Sequence, residues 1–155
     1  MYKISPFKAI KSGNPGLYEF LNHHSKIKIY APYMERVHYH MLTPEEAIAR
    51  AVKTENLRVI LSSISLFNKV KNWPSLNKIA KKENIGKKVG ALYDVARKII
   101  RVRRMDKKTR KSLLKSKIDS KFIVKNAKTK DFEDIEKIWK VYIPFNKEDL
   151  DVYNE

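Results

Sequence analysis

Basic side chains dominate the segment from Lys71 to Lys121, and they could neutralise the charge of a polyanion. Eighteen lysines and arginines stand there against four acids. Ammonium and guanidinium groups form charge-assisted hydrogen bonds with phosphate oxygens, which nucleic acids present in regular rows. We therefore predict phosphate contacts from one set of basic residues in this segment. They are Lys87, Lys88, Arg97, Arg101, Arg104, Lys107, Lys108, Arg110 and Lys111.

Apolar residues recur among these charges at helical spacing, which indicates a folded surface rather than a loose tail. In a helix that turns about 100° per residue, Lys87, Arg97 and Arg101 fall opposite an apolar stripe. Arg103 would fall within that stripe, so we expect the helix to end near it. The stripe consists of Val89, Leu92, Tyr93, Ala96 and Ile100. A solvated face of a lysine-rich protein is the alternative interpretation, and it requires no partner.

Contacts to bases are less clearly indicated than contacts to phosphates. No asparagine or glutamine is convincingly placed to read base edges. Tyr30, Tyr33 and Tyr39 lie near basic residues and could stack on unpaired bases if they are exposed. Half-buried packing is the alternative interpretation of these tyrosines.

Catalytic and metal-binding patterns are not recognisable in this chain. It has no cysteine, which excludes disulfides, thiolate metal sites and cysteine nucleophiles. It also has no phosphate-cradling glycine loop, nucleophile elbow or zinc-protease motif. His38 and His40 would share one face of a strand, but Glu35 is the only nearby acid for a metal site. We therefore predict no enzymatic activity, no metal and no cofactor; an enzyme with an unrecognised carboxylate cluster is a weaker alternative.

Composition suggests one domain that spans residues 1–155. The chain has 155 residues, of which 43% are apolar, and this is enough to bury a core. The N-terminus lacks the apolar stretch of a signal peptide, and no apolar run approaches the roughly 20 residues of a membrane helix. We therefore expect a soluble, cytoplasmic protein without a membrane partner.

The alternation of polar and apolar residues predicts a small sheet beside a helical region. Residues 26–42 contain two alternating runs that read as an antiparallel strand pair, and residues 121–125 are a candidate third strand. Residues 43–117 form a basic helical region, and residues 131–143 an acidic amphipathic helix. The predicted fold class is α+β and mostly helical. In it, a bundle of five to six helices packs beside a small antiparallel β-sheet of two to three strands.

Local signals mark where several helices begin. Thr43 is the predicted N-cap of a capping box that Glu46 completes, with Pro44 at the first helical position. Asp106 is the predicted cap of a strongly basic helix, and Asp131 of the acidic helix. The acidic helix could fold back across the basic face or remain solvated.

Residues 76–96 can be interpreted as a helix-turn-helix. Gly86 lies in the turn, and Lys87 and Lys88 stand at the start of the second helix, where a recognition helix meets DNA. Gly90, however, occupies a position that usually carries a bulky apolar residue. Helical hairpins that do not bind DNA share this spacing.

Two segments resemble the type IV abortive-infection antitoxins, which are transcriptional regulators of phage-defence toxin–antitoxin pairs. Residues 43–51, TPEEAIARA, are similar to the family's TPERALLDAL segment. Residues 73–92 are similar to its W-x-x-L … A … R-L-G-x-L-L hairpin, through Trp73, Leu76, Ala80 and the run KVGAL. The resemblance covers roughly residues 26–100. Arg50 replaces an aspartate that is common in the family, and the 25 residues before Lys26 are too few for its N-terminal winged helix.

The resemblance implies the family's C-terminal domain standing alone, which serves dimerisation, operator contact and regulation. We therefore predict a nucleic-acid-binding protein, specifically a DNA-binding regulatory protein, with DNA favoured over RNA. A cognate toxin and a second copy of the chain are further predicted partners. The alternative is a toxin-neutralising or dimerisation module without nucleic-acid contact. Its mark would be an exposed apolar patch formed by Phe132, Ile135, Ile138 and Trp139.

Overall fold

A computed structural model describes residues 16–30 and 41–154, and the regular structure in these residues is helical. The α-helices are α1 (Leu17–His24), α2 (Pro44–Lys53), α3 (Leu57–Ser63), α4 (Trp73–Lys82), α5 (Gly86–Ile99), α6 (Lys107–Leu114) and α7 (Glu133–Trp139). Two 3-10 helices accompany them, η1 (Ile64–Lys69) and η2 (Lys147–Asn154). Within the described ranges, no helix has the length and apolar character needed to cross a membrane.

Helix α5 forms the centre of the core. It contacts α2, α4, α6, α7 and η1, and most of its residues from Val89 to Ala96 are buried. A helix that is buried on nearly every side has little surface left for a ligand. The other elements surround it and share one continuous cluster of buried apolar side chains that runs from Leu17 to Leu150.

A glycine allows α7 to approach α5 closely. A Cβ atom at Gly90 would overlap the six-membered ring of Trp139, which is fully buried. The small residue that fits a helix-turn-helix poorly is therefore explained by packing, because the indole occupies the space that a larger side chain would fill.

The predicted helix starts at Thr43 and Asp106 are confirmed. The Thr43 side chain accepts a hydrogen bond from the Glu46 backbone N–H, and the Glu46 carboxylate accepts one from the Thr43 N–H. Asp106 accepts a hydrogen bond from the Thr109 backbone N–H at 2.9 Å and so caps α6. The prediction that Asp131 caps the acidic helix is wrong. That helix is only Glu133–Trp139, and the Asp131 carboxylate accepts instead from the Lys147 backbone N–H.

The predicted antiparallel sheet is wrong, since the described residues contain no β-strand. In residues 26–30 the alternation is real, because Ile27 and Ile29 are buried while their neighbours are exposed. Side chains, however, replace the strand partner. Asn22 exchanges two hydrogen bonds with the Ile29 backbone, both at 2.8 Å, and the Ser62 hydroxyl donates to the Ile27 carbonyl. Most of the second predicted strand lies outside the described residues.

The third predicted strand, residues 121–125, makes only a single parallel bridge, between Phe122 and Tyr142. The Tyr142 backbone N–H donates to the Lys121 carbonyl at 2.8 Å, and the two aromatic rings lie 5.0 Å apart. Ile123 is fully buried and anchors the segment. One buried side chain and one bridge hold this segment against the chain that follows α7, so it adds no strand to residues 26–30.

Candidate nucleic-acid interface

An irregular segment, residues 100–106, links α5 to α6 and carries three arginines; we call it the arginine strap. Buried Val102 and Met105 anchor it in the core. The Met105 backbone N–H donates to the Tyr93 hydroxyl at 2.7 Å, and this bond fixes the strap against α5. These contacts fix the backbone of the strap. The exposed side chains of Arg101 and Arg104 therefore extend from a fixed backbone.

The third arginine of the strap has a positioning role. The Arg103 guanidinium donates to the backbone carbonyls of Val70 and Lys71, at 3.3 and 2.8 Å. Together with Asn68 and Lys69, these residues line an open depression of about 410 Å³. The middle of the arginine strap is thus hydrogen-bonded, through Arg103, to the segment that leads into α4.

Helix α6 presents a row of lysines to solvent. At about 100° per residue, Lys107, Lys108, Lys111 and the C-cap residue Lys115 fall within an arc of about 100°. All four side chains are exposed, while Leu113 on the opposite side is fully buried. We call the exposed cations of the strap and of α6 the cationic surface. It comprises Arg101, Arg104, Lys107, Lys108, Lys111 and Lys115.

Helix α4 lies beside α6 and extends its positive charge. The Ser112 hydroxyl accepts hydrogen bonds from the Asn77 amide and the Lys81 ammonium group, each at 3.2 Å. Lys78 and Lys82 are also exposed on α4. These lysines are not among the phosphate ligands predicted from the sequence, although their spacing along a helix that packs through Leu76 and Ala80 could have identified them.

Arg110 differs from the other predicted phosphate ligands because it is already bound. Its guanidinium makes two hydrogen bonds to the Asp94 carboxylate, at 2.8 and 3.0 Å, and lies 5.0 Å from the centroid of the Trp139 ring. The Trp139 indole N–H donates to the same carboxylate at 2.7 Å. The hydrogen bonds with Asp94 raise the pKa of Arg110. Arg110 therefore joins α6 to α5 and α7, and only a third of its side chain remains exposed.

Lys88 is also withdrawn from the surface. Its side chain is 5% exposed, and its ammonium group lies 3.6 Å from the Asp119 carboxylate. The first turn of α5 is closed in the same region, because a Cβ atom at Gly86 would overlap Ser116. The segment after α6 thus covers the end of α5 that a helix-turn-helix would insert into DNA.

The remaining two predicted ligands, Lys87 and Arg97, lie at opposite ends of α5. Lys87 is half-buried near the covered first turn. Arg97 is exposed in the last turn, close to the arginine strap, and lies 3.4 Å from the Tyr93 hydroxyl. Arg97 can therefore add to the cationic surface, whereas Lys87 lies at the opposite end of the helix.

The acidic C-terminal region contacts the edge of the basic region. Asp134 on α7 pairs with Lys98 at 2.5 Å, and this contact lowers the pKa of Asp134. Within residues 16–30 and 41–154, no ion pair joins an acid to any residue of the cationic surface. The acidic helix therefore leaves that surface uncovered.

Each of the four acids of the segment 71–121 has a structural partner. Glu83 pairs with Lys53 at 3.0 Å, and Asp119 with Lys88. Asp94 is bound by Arg110 and Trp139, and Asp106 caps α6. Only Asp106, which lies at the start of α6 and interacts electrostatically with Lys108, offsets part of the positive charge of the cationic surface.

Other candidate sites receive little from the structure. Tyr30 is 98% exposed, whereas Tyr33, Tyr39, His38 and His40 lie outside the described residues. The part of the chain that the structure describes holds no group of three or more side chains suited to a metal ion. The apolar patch expected of a protein-interaction module is not exposed. Of its members, Phe132, Ile135 and Trp139 are buried, and only Ile138 is half-exposed.

Comparisons with known proteins found no matching family model, no matching curated protein and no matching solved structure.

Proposed function

We propose that this chain binds nucleic acid through phosphate contacts made by the cationic surface. One observation carries the proposal: six exposed cations lie on two adjacent segments, and of the four acids of residues 71–121 only Asp106 lies among them. A lysine-rich face that serves only for solvation usually mixes both signs of charge. A surface on which cations far outnumber acids, held on a fixed backbone, attracts a polyanion and binds it by releasing counterions.

DNA is the favoured ligand, and a regulatory role is the favoured context. This preference rests on the resemblance to the antitoxin regulators, which implies operator contact. The same resemblance makes a cognate toxin and a second copy of the chain proposed partners. In this proposal the chain is a binding protein and catalyses no reaction.

The proposed ligand set is revised by burial and pairing. Arg101, Arg104, Lys107, Lys108 and Lys111 remain from the predicted set, and Arg97 lies at their edge. We add Lys115, because it shares the exposed arc of α6. Lys88 and Arg110 are removed from the set, because Lys88 is buried and each of the two is paired with a carboxylate.

A salt titration of binding tests the proposal. Labelled duplex DNA, single-stranded DNA and RNA are titrated with the native chain and with a variant in which Arg101, Arg104, Lys108 and Lys111 are all alanine. We expect weaker binding and a shallower salt dependence in the variant, by roughly 0.9 in the logarithmic slope for each duplex phosphate that the variant no longer neutralises.

The matched control removes the same charge from other exposed positions. It changes Lys125, Lys130, Lys137 and Lys147 to alanine, since these side chains are exposed and lie outside the cationic surface. Equal losses of affinity in both variants would mean that binding depends on net charge and not on the cationic surface. The proposal is wrong if the native chain binds none of the three ligands at low salt, and a protein-interaction module would then be the better hypothesis.

A further inference from the structure

We infer that the nucleic acid is double-stranded and that α6 is the element that lies against it. This inference rests on the proposed function and specifies its ligand and docking element. It follows from three features of the described residues: the aromatic rings, the shape of the lysine row and the burial of α5.

The aromatic side chains near the cationic surface are unavailable for stacking. Proteins that bind single strands place exposed aromatic rings along a positively charged groove, so that successive bases can stack on them. Here Trp73, Tyr93 and Trp139 are all buried. Trp73 packs edge-on against Tyr93 with ring centroids 5.2 Å apart, and Trp139 is fixed by Asp94 and Arg110. Within the part of the chain that the structure describes, these three rings therefore offer unpaired bases no face beside the cations.

The lysines of α6 form a convex ridge suited to rows of phosphates. From Lys107 to Lys115 the ridge extends roughly 12 Å, at 1.5 Å per residue. An α-helix with its side chains is about 10–12 Å wide and the major groove of B-DNA is about 12 Å wide, so long side chains on such a helix can reach the phosphates that border the groove. Arg101 and Arg104 lie on the strap that leads into this helix and add contacts at its N-terminal end.

Contacts on this surface are to the backbone rather than to bases. The exposed arc of α6 carries lysines only, and the chain contains no glutamine. Bidentate readout of adenine uses asparagine or glutamine, which the arc lacks. Lysine can reach guanine, but no hydrogen bond within the described residues fixes these exposed ammonium groups toward one base. Binding through this surface is therefore tolerant of sequence, and the operator contact that the antitoxin resemblance implies would require residues outside it.

Helix α5 is excluded as the docking element by its surroundings. Its first turn is covered by the segment that contains Ser116 and Asp119, and its middle is buried against α7 and η1. Of α5 and α6, only α6 has an exposed basic face along its length.

Competition between matched ligands tests this inference. A labelled 20-base-pair DNA duplex, its single strand and a duplex of scrambled sequence are each titrated with the native chain at several salt concentrations. We expect the duplex to bind at least about tenfold more tightly than the single strand, and the two duplexes to bind within about twofold of each other.

Variants of α6 locate the contact. A variant with Lys107, Lys108, Lys111 and Lys115 changed to alanine should lose most of the duplex preference, while a variant with the same four changed to arginine should retain it. Alanine and arginine are both strong helix formers, so both variants should keep the native circular dichroism spectrum. Tighter binding to the single strand, or full duplex affinity in the alanine variant, overturns this inference but leaves the proposed function standing. Absence of binding to all ligands overturns the proposed function itself.

Discussion

Helices α5 and α6 carry the same number of basic residues and use them in opposite ways. Each contains four lysines and arginines. On α5, Lys88 and Lys98 form ion pairs and Lys87 is half-buried, so one arginine remains exposed. On α6 only Arg110 is paired, and its three lysines are exposed. The comparison shows that the availability of a charge depends on acids from other elements, and not on the local density of positive charge.

The largest expected effect comes from breaking the contact that keeps α5 central. In Gly90→Ala, the added methyl group displaces Trp139, and we expect a loss of about 3 kcal/mol in the free energy of unfolding because overpacking outweighs the gain in helix propensity. Urea denaturation measures the loss. The same substitution in a Trp139→Leu background should cost less, since leucine lacks the ring atoms that collide. An equal cost in both backgrounds would contradict this explanation.

The second prediction concerns Arg110, which we expect to contribute to stability but not to nucleic-acid binding. Arg110→Met keeps an unbranched side chain but leaves Asp94 without its cation, so we expect a loss of about 1–2 kcal/mol in unfolding free energy. The value is modest because a third of the Arg110 side chain is exposed and solvent screens the pair. The salt dependence of nucleic-acid binding should stay as in the native chain. A shallower slope would return Arg110 to the set of phosphate ligands.

Local interactions were predictable from sequence, and long-range ones were not. Thr43 and Asp106 cap their helices through residues three positions away, a distance that the sequence displays directly. The pairing of Arg110 joins residues 16 positions apart, and that of Lys98 joins residues 36 positions apart. No pattern in the chain identified these partners. Five of the six cations on the cationic surface were predictable from the sequence, whereas the addition of Lys115 and the removal of Lys88 and Arg110 required the three-dimensional arrangement.

The predicted sheet failed for a related reason. The alternation around Ile27 and Ile29 correctly predicted which side chains are buried, but alternation does not specify what satisfies the backbone. Hydrogen bonds from Asn22 and Ser62 do so in the described residues. Side-chain partners of this kind carry no periodic signal, so a strand and an extended segment held by side chains look alike in sequence.

A third prediction compares single lysines of the two helices. Lys88→Met should leave the salt dependence of binding unchanged and alter stability by less than about 1.5 kcal/mol, because methionine fits the volume of a buried side chain and Asp119 is mostly exposed. Lys111→Met should reduce the logarithmic salt slope on duplex DNA by about 0.9, since it removes one phosphate contact. Both variants lose one charge, so each is the control for the other. Equal changes in slope would mean that binding follows net charge alone.

The smallest expected effect concerns the acid that starts α6. Hydrogen bonds from the Thr109 backbone N–H and hydroxyl lower the pKa of Asp106, so the folded chain keeps this carboxylate charged to lower pH than the unfolded chain does. Its contribution to stability is therefore fully present above the unfolded pKa of about 3.9 and is lost as the pH falls through the lower folded value. The effect is small because the group is solvated.

The Asp106→Asn variant preserves a capping side chain that does not titrate. Melting temperatures measured between about pH 3 and pH 7 should converge for the native chain and this variant as the pH falls below about 4. A gap that widens in acid would mean that the charge of Asp106 does not stabilise α6.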